Sequence, residues 1–345
     1  MKTRSNAYWD KRSLQRMAEY HRGADSTVKV VNEAYDKAQK DIAAEVQRIF
    51  DKFAKDGGLT PEEAIRILNE PITETEWKSI KRKINNVKDP RIKRQLLNRL
   101  NAPAYSARIT RLEALKENTY IQSKIIADVE ITANTNSYIG TINEAYYQTM
   151  FDVQRGLGVG FDFASMPNSR IEEILRNPWT GKQFSERIWD NTDVLASQVT
   201  DVITAGFMSG AGTAQMSREL AERMNVGKHA ANRLVRTETT YMANMAEMES
   251  NIEAGIEEYM FMATLDKRTS KICGKLDLKI FKVKEAKVGI NMPPMHPFCR
   301  SGTRAYFGPK TLDNIQRRAR NPATGKNELV PASMDYPEWK EKYVA

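Results

Sequence analysis

Val28, Val31, Tyr35, Ala38, Ile42, Ile49 and Phe53 recur at three- and four-residue steps. That spacing lines one face of a helix and predicts a long amphipathic helix over 27–55, ended by Gly57-Gly58. Thr60-Pro61-Glu62-Glu63 then supplies a capping hydroxyl, a proline at the first helical position and a glutamate at the third, which marks a new helix start. Thr73 and Glu76 repeat the capping box, and Asp89-Pro90 opens a further short helix. After Pro103, the spacing of Ile109, Leu112, Tyr120, Ile125 and Val129 predicts a second long helix reaching about Arg155.

The stretch Gly156 to Pro167 breaks this pattern and is the first expected boundary or hinge. It lacks the preceding strand, the directly following helix and the Lys-Ser/Thr pair of a phosphate-cradling loop, so nucleotide binding is not expected there. Helices follow over 169–176, 184–208, 214–224 and 228–254, punctuated by Pro178 and Gly210-Ala211-Gly212. In the last of them Met242, Met245 and Met248 read as core filler. From Gly255 the character changes: Tyr259, Phe261 and Ala263 alternate with Met260, Met262 and Thr264, which predicts a strand, with others at 279–283 and 303–307. Beyond Pro309, Asn321-Pro322, Gly325 and Pro331 predict an extended, partly docked tail. The expected fold is mainly α: an elongated helical N-terminal region (1–160), a helical middle followed by a small α+β C-terminal lobe (161–308), and the tail (309–345).

At 345 residues the chain has room for about two domains and does not depend on disulfides for a core. Its N-terminus has no apolar run like a signal peptide, and no stretch approaches the ~18 apolar residues of a spanning helix, so synthesis in the cytoplasm and no membrane partner are expected. Net charge is +9, and the segment 77–124, with 13 Lys and Arg against 3 Asp and Glu, accounts for the excess. Such a field draws in DNA phosphates or an acidic protein surface, with Lys78, Lys81, Arg82, Lys83, Lys93 and Arg94 as candidate contacts; solvated helix faces explain the same composition.

The densest chemistry lies in Asp266 to Cys273 and Pro293 to Arg300, which hold both cysteines and one of the 3 histidines. Cys273, His296 and Cys299 are zinc-ligand types, soft thiolates and a neutral imidazole, and zinc is the one cofactor the sequence suggests. Asp266 or Asp277 is available as a fourth ligand. The alternative is that both cysteines pack as small apolar groups and His296 satisfies a buried backbone group. Asp266, followed by Arg268 and Thr269, also suits a turn in which the carboxylate accepts forward amides. Arg236 and Glu238 lie two apart on a helix and face different ways, so they need separate partners. There is no His-Glu-x-x-His and no paired-acid signature, so no catalytic residue is assigned and an enzyme is not expected.

RLVRTETTYMANMAE at 233–247, ATLDKRTSKIC at 263–273 and PPMHPFCR at 293–300, in this order and joined by the helix-to-strand passage through Gly255, resemble the Mu F-like head morphogenesis family. Asp335 to Val344 is similar to the tails of minor head proteins of phages infecting Gram-positive hosts, which belong to that group. The resemblance implies a minor head protein of a tailed phage or prophage, located in the virion at the head interior or portal region. Its implied partners are portal, capsid or scaffold proteins and packaged double-stranded DNA, and its implied role is head assembly, DNA packaging or DNA delivery. It marks Arg236, Glu238, Asp266, Arg268, Thr269, Pro297 and Arg300 as motif residues of structural importance. The family pattern often carries cysteines where this chain has Ser270 and Ser301. Modules of this family also occur joined to toxin domains, so a toxin-like enzyme is the competing reading. A general DNA-binding protein, recognisable by steep salt dependence, is a third.

Overall fold

The computed structural model describes residues 6–53, 59–101, 109–157, 160, 162–308, 316–321, 324, 326–331 and 334–344. The expected breaks at Gly57-Gly58, Pro103, Pro309, Pro322 and Gly325 lie outside the described residues. The protein is mainly α-helical, with a small sheet toward the C-terminal end. In chain order the helices are α1 (Asn6–Phe53), α2 (Pro61–Asn69), α3 (Glu74–Lys83), α4 (Pro90–Leu100), α5 (Arg111–Leu157), α6 (Asn168–Arg176), α7 (Phe184–Met208) and α8 (Thr213–Glu253). They are followed by β1 (Glu258–Met262), α9 (Lys271–Leu276), β2 (Ile280–Lys282), β3 (Gly302–Ala305), β4 (Gln316–Arg320), β5 (Asn327–Pro331) and α10 (Tyr336–Val344).

The chain forms two compact units: residues 27–134 with 184–232, and residues 1–26 with 135–183 and 233–345. This grouping differs from the consecutive regions 1–160, 161–308 and 309–345, because the boundary falls inside α1, α5 and α8.

In the first unit, Val31, Tyr35 and Ile42 of α1 pack with Leu195, Val199 and Ile203 of α7 and with Met216 and Leu220 of α8. A second cluster joins Trp77 and Ile80 of α3, Ile92, Leu96 and Leu100 of α4, and Ile121 of α5. The Thr60–Glu63 and Thr73–Glu76 capping boxes form as expected, and Asp89 caps α4. The two helices expected at 214–224 and 228–254 are one helix, α8. Gly227 at the expected break is there for packing: a Cβ would lie 2.6 Å from the Tyr35 ring.

In the second unit, α1 begins 20 residues or so before the expected start at 27, and Trp9, Met17, Tyr20 and Ala24 are buried along this extension. Helix α8 ends where Gly255 adopts φ +68° and the Ile256 amide bonds back to the Asn251 carbonyl, a left-handed helix end that favours glycine. Strand β1 then pairs antiparallel with β2 (Tyr259 opposite Phe281) and with β3 (Phe261 opposite Thr303), in the order β2-β1-β3. Met242 and Met248 are buried as expected of core filler.

The tail is more structured than the extended chain expected. Strands β4 and β5 form an antiparallel hairpin, and α10 buries Trp339 completely against a cluster with Leu265, Ala319 and Val330. Tyr336 lies against α9, where a Cβ on Gly274 would fall 2.2 Å from its ring.

Candidate functional site

The two cysteines and His296 converge in the second unit. Cys273 sits in the first turn of α9, its amide donating to the Ser270 hydroxyl that caps the helix (3.1 Å). Its sulfur lies 3.8 Å from Cys299 Sγ and 3.3 Å from His296 Nε2, and the three ligand atoms all fall within 4.8 Å of one another. His296 Nδ1 is 2.8 Å from the Pro297 carbonyl oxygen. A carbonyl only accepts, so Nδ1 carries a proton, and Nε2 is the ring nitrogen that faces the sulfur. Both cysteines are buried beside Phe261 and Ala263, so the apolar packing of the alternative reading is present as well.

The sulfurs are nonetheless in polar company. Cys273 Sγ is within contact of Cys299 Sγ and His296 Nε2, and Ser270, Ser301 and the Met295 backbone stand close to the pair. The contact with Cys273 lowers the Cys299 thiol, against the opposing effect of burial. The same contact, together with burial, pushes Cys273 up.

The loop carrying His296 and Cys299 is held by α8. Phe298 adopts φ +59°, a conformation a bulky residue takes only when its surroundings impose it. Its amide donates to Thr237 Oγ1 (3.0 Å), and Thr240 Oγ1 donates to the Cys299 carbonyl (2.6 Å). These threonines are i and i+3 on α8 and share a face. Within the same motif Arg236 pairs with Asp25 of α1, while Glu238 is buried and accepts from the Trp179 indole N–H (3.1 Å). The two motif residues thus have the separate partners that their spacing requires.

Asp266 does not join the cysteine cluster. Its two oxygens receive the Arg300 guanidinium at 2.6 and 2.7 Å, and Oδ1 also accepts the Arg268 amide (2.8 Å) and the Thr269 hydroxyl (3.4 Å). Burial opposes its charge, but Arg300 and Arg268 hold its carboxyl below the usual range. The turn reading describes this aspartate, and the fourth-ligand reading does not. Asp277, the other acid considered, accepts the Ala263 amide (2.9 Å).

The N-terminal part of α1, to which the sequence reading assigned no role, completes the surroundings. Ser13 Oγ donates to the Thr303 carbonyl (2.9 Å), Arg304 pairs with Asp10 at 2.5 Å, and His21 Nε2 lies 3.2 Å from Thr240 Oγ1. Burial first, and then Arg236 and Arg300, lower His21 to about 4, so the imidazole is neutral at physiological pH. An open cavity of about 560 Å³ is bordered by Lys11, Arg22, Arg236, Arg268 and Arg300 and by Glu19, Asp25 and Asp266, with which the four arginines pair.

The basic candidates lie in the first unit, and folding divides them. Lys78 pairs with Glu74, Lys81 bonds the Asn101 side chain and stands over the Trp77 ring, and Lys83 bonds Asn118 in a half-buried setting that pushes its amine down. Arg82, Lys93 and Arg94 make no ion pair among the described residues, and Arg82 and Arg94 are exposed.

Comparison with known proteins places part of this architecture. Residues 197–304 match the family of Phage Mu protein F like proteins. The matched segment contains α8, β1, β2, all of β3 but its last residue, and both cysteines. A curated protein of Enterococcus faecalis, NAD(+)--arginine ADP-ribosyltransferase EFV, is 27% identical over 146 residues, which make up 41% of this chain. The alignment spans 30% of that relative's length. No solved structure matches the chain at a significant level. Among the described residues no helix is long and apolar enough to cross a membrane.

Proposed function

We propose that this chain is a minor structural protein of a tailed-phage head, in a phage or prophage of a Gram-positive host. It sits at the portal or inner capsid and acts in head assembly, DNA packaging or DNA delivery. The observation that carries this reading is the Mu F-like segment at 197–304. Arg82, Lys93 and Arg94 supply the surface for DNA or an acidic partner, because the other candidate lysines are engaged within the fold. Reversing these three charges to glutamate and measuring binding to purified portal and to duplex DNA tests that surface. If DNA is the partner, the logarithmic salt dependence flattens by about 2.7, roughly 0.9 for each lost phosphate contact. If both bindings are unchanged, the basic face has no part in the function.

The name of the Enterococcus faecalis relative motivates a second reading, an arginine-directed ADP-ribosyltransferase. Nicotinamide release from NAD+ in the presence of an arginine acceptor decides it: release above the no-protein control favours the enzyme, and none favours the head protein.

A further inference from the structure

We propose that Cys273, Cys299 and His296 form a zinc(II) site that staples α9 to the His296–Cys299 loop, with two thiolates and one neutral imidazole as ligands. This goes beyond the head-protein reading and stands independently of it. The first support is metric. Two thiolates on a tetrahedral zinc, with Zn–S of about 2.3 Å, stand about 3.8 Å apart, and a thiolate and an imidazole nitrogen about 3.6 Å apart. The chain holds the two sulfurs at 3.8 Å and Cys273 Sγ and His296 Nε2 at 3.3 Å. The remaining edge is within 4.8 Å, so a small side-chain adjustment closes the triangle around an ion.

The second support is orientation. The Pro297 carbonyl fixes the Nδ1–H tautomer of His296, the arrangement that frees Nε2 for a metal and raises its basicity. The third concerns the sulfurs. Small apolar cysteines need only hydrocarbon around them, yet Cys273 Sγ faces Cys299 Sγ at 3.8 Å and His296 Nε2 at 3.3 Å, so the sulfurs are grouped with another ligand atom. The fourth is the frame: Thr237 and Thr240 pin the strained turn at Phe298, so the loop is organised before any ion arrives. Binding releases the remaining thiol protons to solvent, and the ion's charge is offset by two thiolates.

With Asp266 committed to Arg300, the fourth position falls to water or to a serine hydroxyl. Ser301 is buried beside the two sulfurs, two positions after Cys299, so a cysteine there would add a third thiolate to the cluster. The test uses the full chain produced in zinc-supplemented medium and purified with reductant. Its zinc content is measured by elemental mass spectrometry, and the stripped chain is titrated with Co2+. About one zinc per chain is expected, with near-ultraviolet sulfur-to-cobalt charge-transfer bands that Cys299→Ser weakens. Ser301→Cys should intensify those bands and tighten zinc at least about tenfold, a gain that does not depend on a destabilised variant folding. A zinc ratio near zero, with no charge-transfer band in either the parent chain or Ser301→Cys while their circular dichroism stays helical, would overturn the proposal.

Discussion

Replacing Arg16 with methionine is expected to cost the second unit about 3–5 kcal/mol, the range for removing one partner of a buried ion pair. Arg16 is buried, 2.5 Å from Asp152 and 3.9 Å from Glu247; Asp152 also takes Arg12 at 2.7 Å, and Glu247 accepts the Thr303 hydroxyl at 2.9 Å. Burial works against every charge in this group: it raises both carboxyls and opposes the guanidinium, whose charge Glu247 and Asp152 sustain. Methionine fills the space but leaves the two acids facing each other with less compensation. Urea unfolding followed by circular dichroism measures the loss, and adding Asp152→Asn and Glu247→Gln should recover part of it. A loss under about 1 kcal/mol would mean that the N-terminal part of α1 is docked by apolar contacts alone.

The second large effect is a pH dependence in the first unit. Glu130 is buried in α5, and although the Tyr35 hydroxyl approaches it, neither carboxylate oxygen gains a hydrogen bond of good geometry. Burial raises its pKa from 4.5 to about 8, opposed only in part by Tyr35. The folded chain therefore binds this proton more tightly than the unfolded chain does. The stabilising contribution is complete below the unfolded value, near 4.5, and is lost as pH rises to about 8, a change of about 4 kcal/mol. Thermal unfolding between pH 5 and 8.5 should show the unit weakening as pH rises, and Glu130→Gln should remove most of that slope and stabilise the chain at pH 8. A parent and variant with parallel pH profiles would show that Glu130 is ionised in the folded state.

What was legible in the sequence was local. Capping boxes at Thr60 and Thr73 and the apolar stripe from Val28 to Phe53 depend on neighbours within a turn or two, and they formed where their spacing put them. The first part of α1 was hidden because its buried face is partly polar: Asp10, Ser13, Arg16 and His21 share it with Trp9, Met17, Tyr20 and Ala24. No amphipathic pattern survives such mixing, since the face is matched to charged partners on α5, α8 and β3. The break expected between 224 and 228 misled for a related reason, because Gly227 answers to Tyr35 across the unit rather than ending a helix.

The cysteine–histidine cluster was visible because soft ligands are rare in this chain and fall close together. The role of Asp266 was only half visible. Its turn bonds are local, but its pairing with Arg300 spans 34 positions and arises from tertiary structure. Thr237 and Thr240 went unread, although hydroxyls at i and i+3 on one helix face were a signal available in the motif itself.

The most direct test of the head-protein account is quantitative mass spectrometry of purified, salt-washed particles from the source, comparing the copy number of this chain with those of portal and major capsid protein. The account predicts a small, fixed number of copies retained after washing, far below the major capsid protein. Absence from particles while the chain is abundant in the lysate would contradict it.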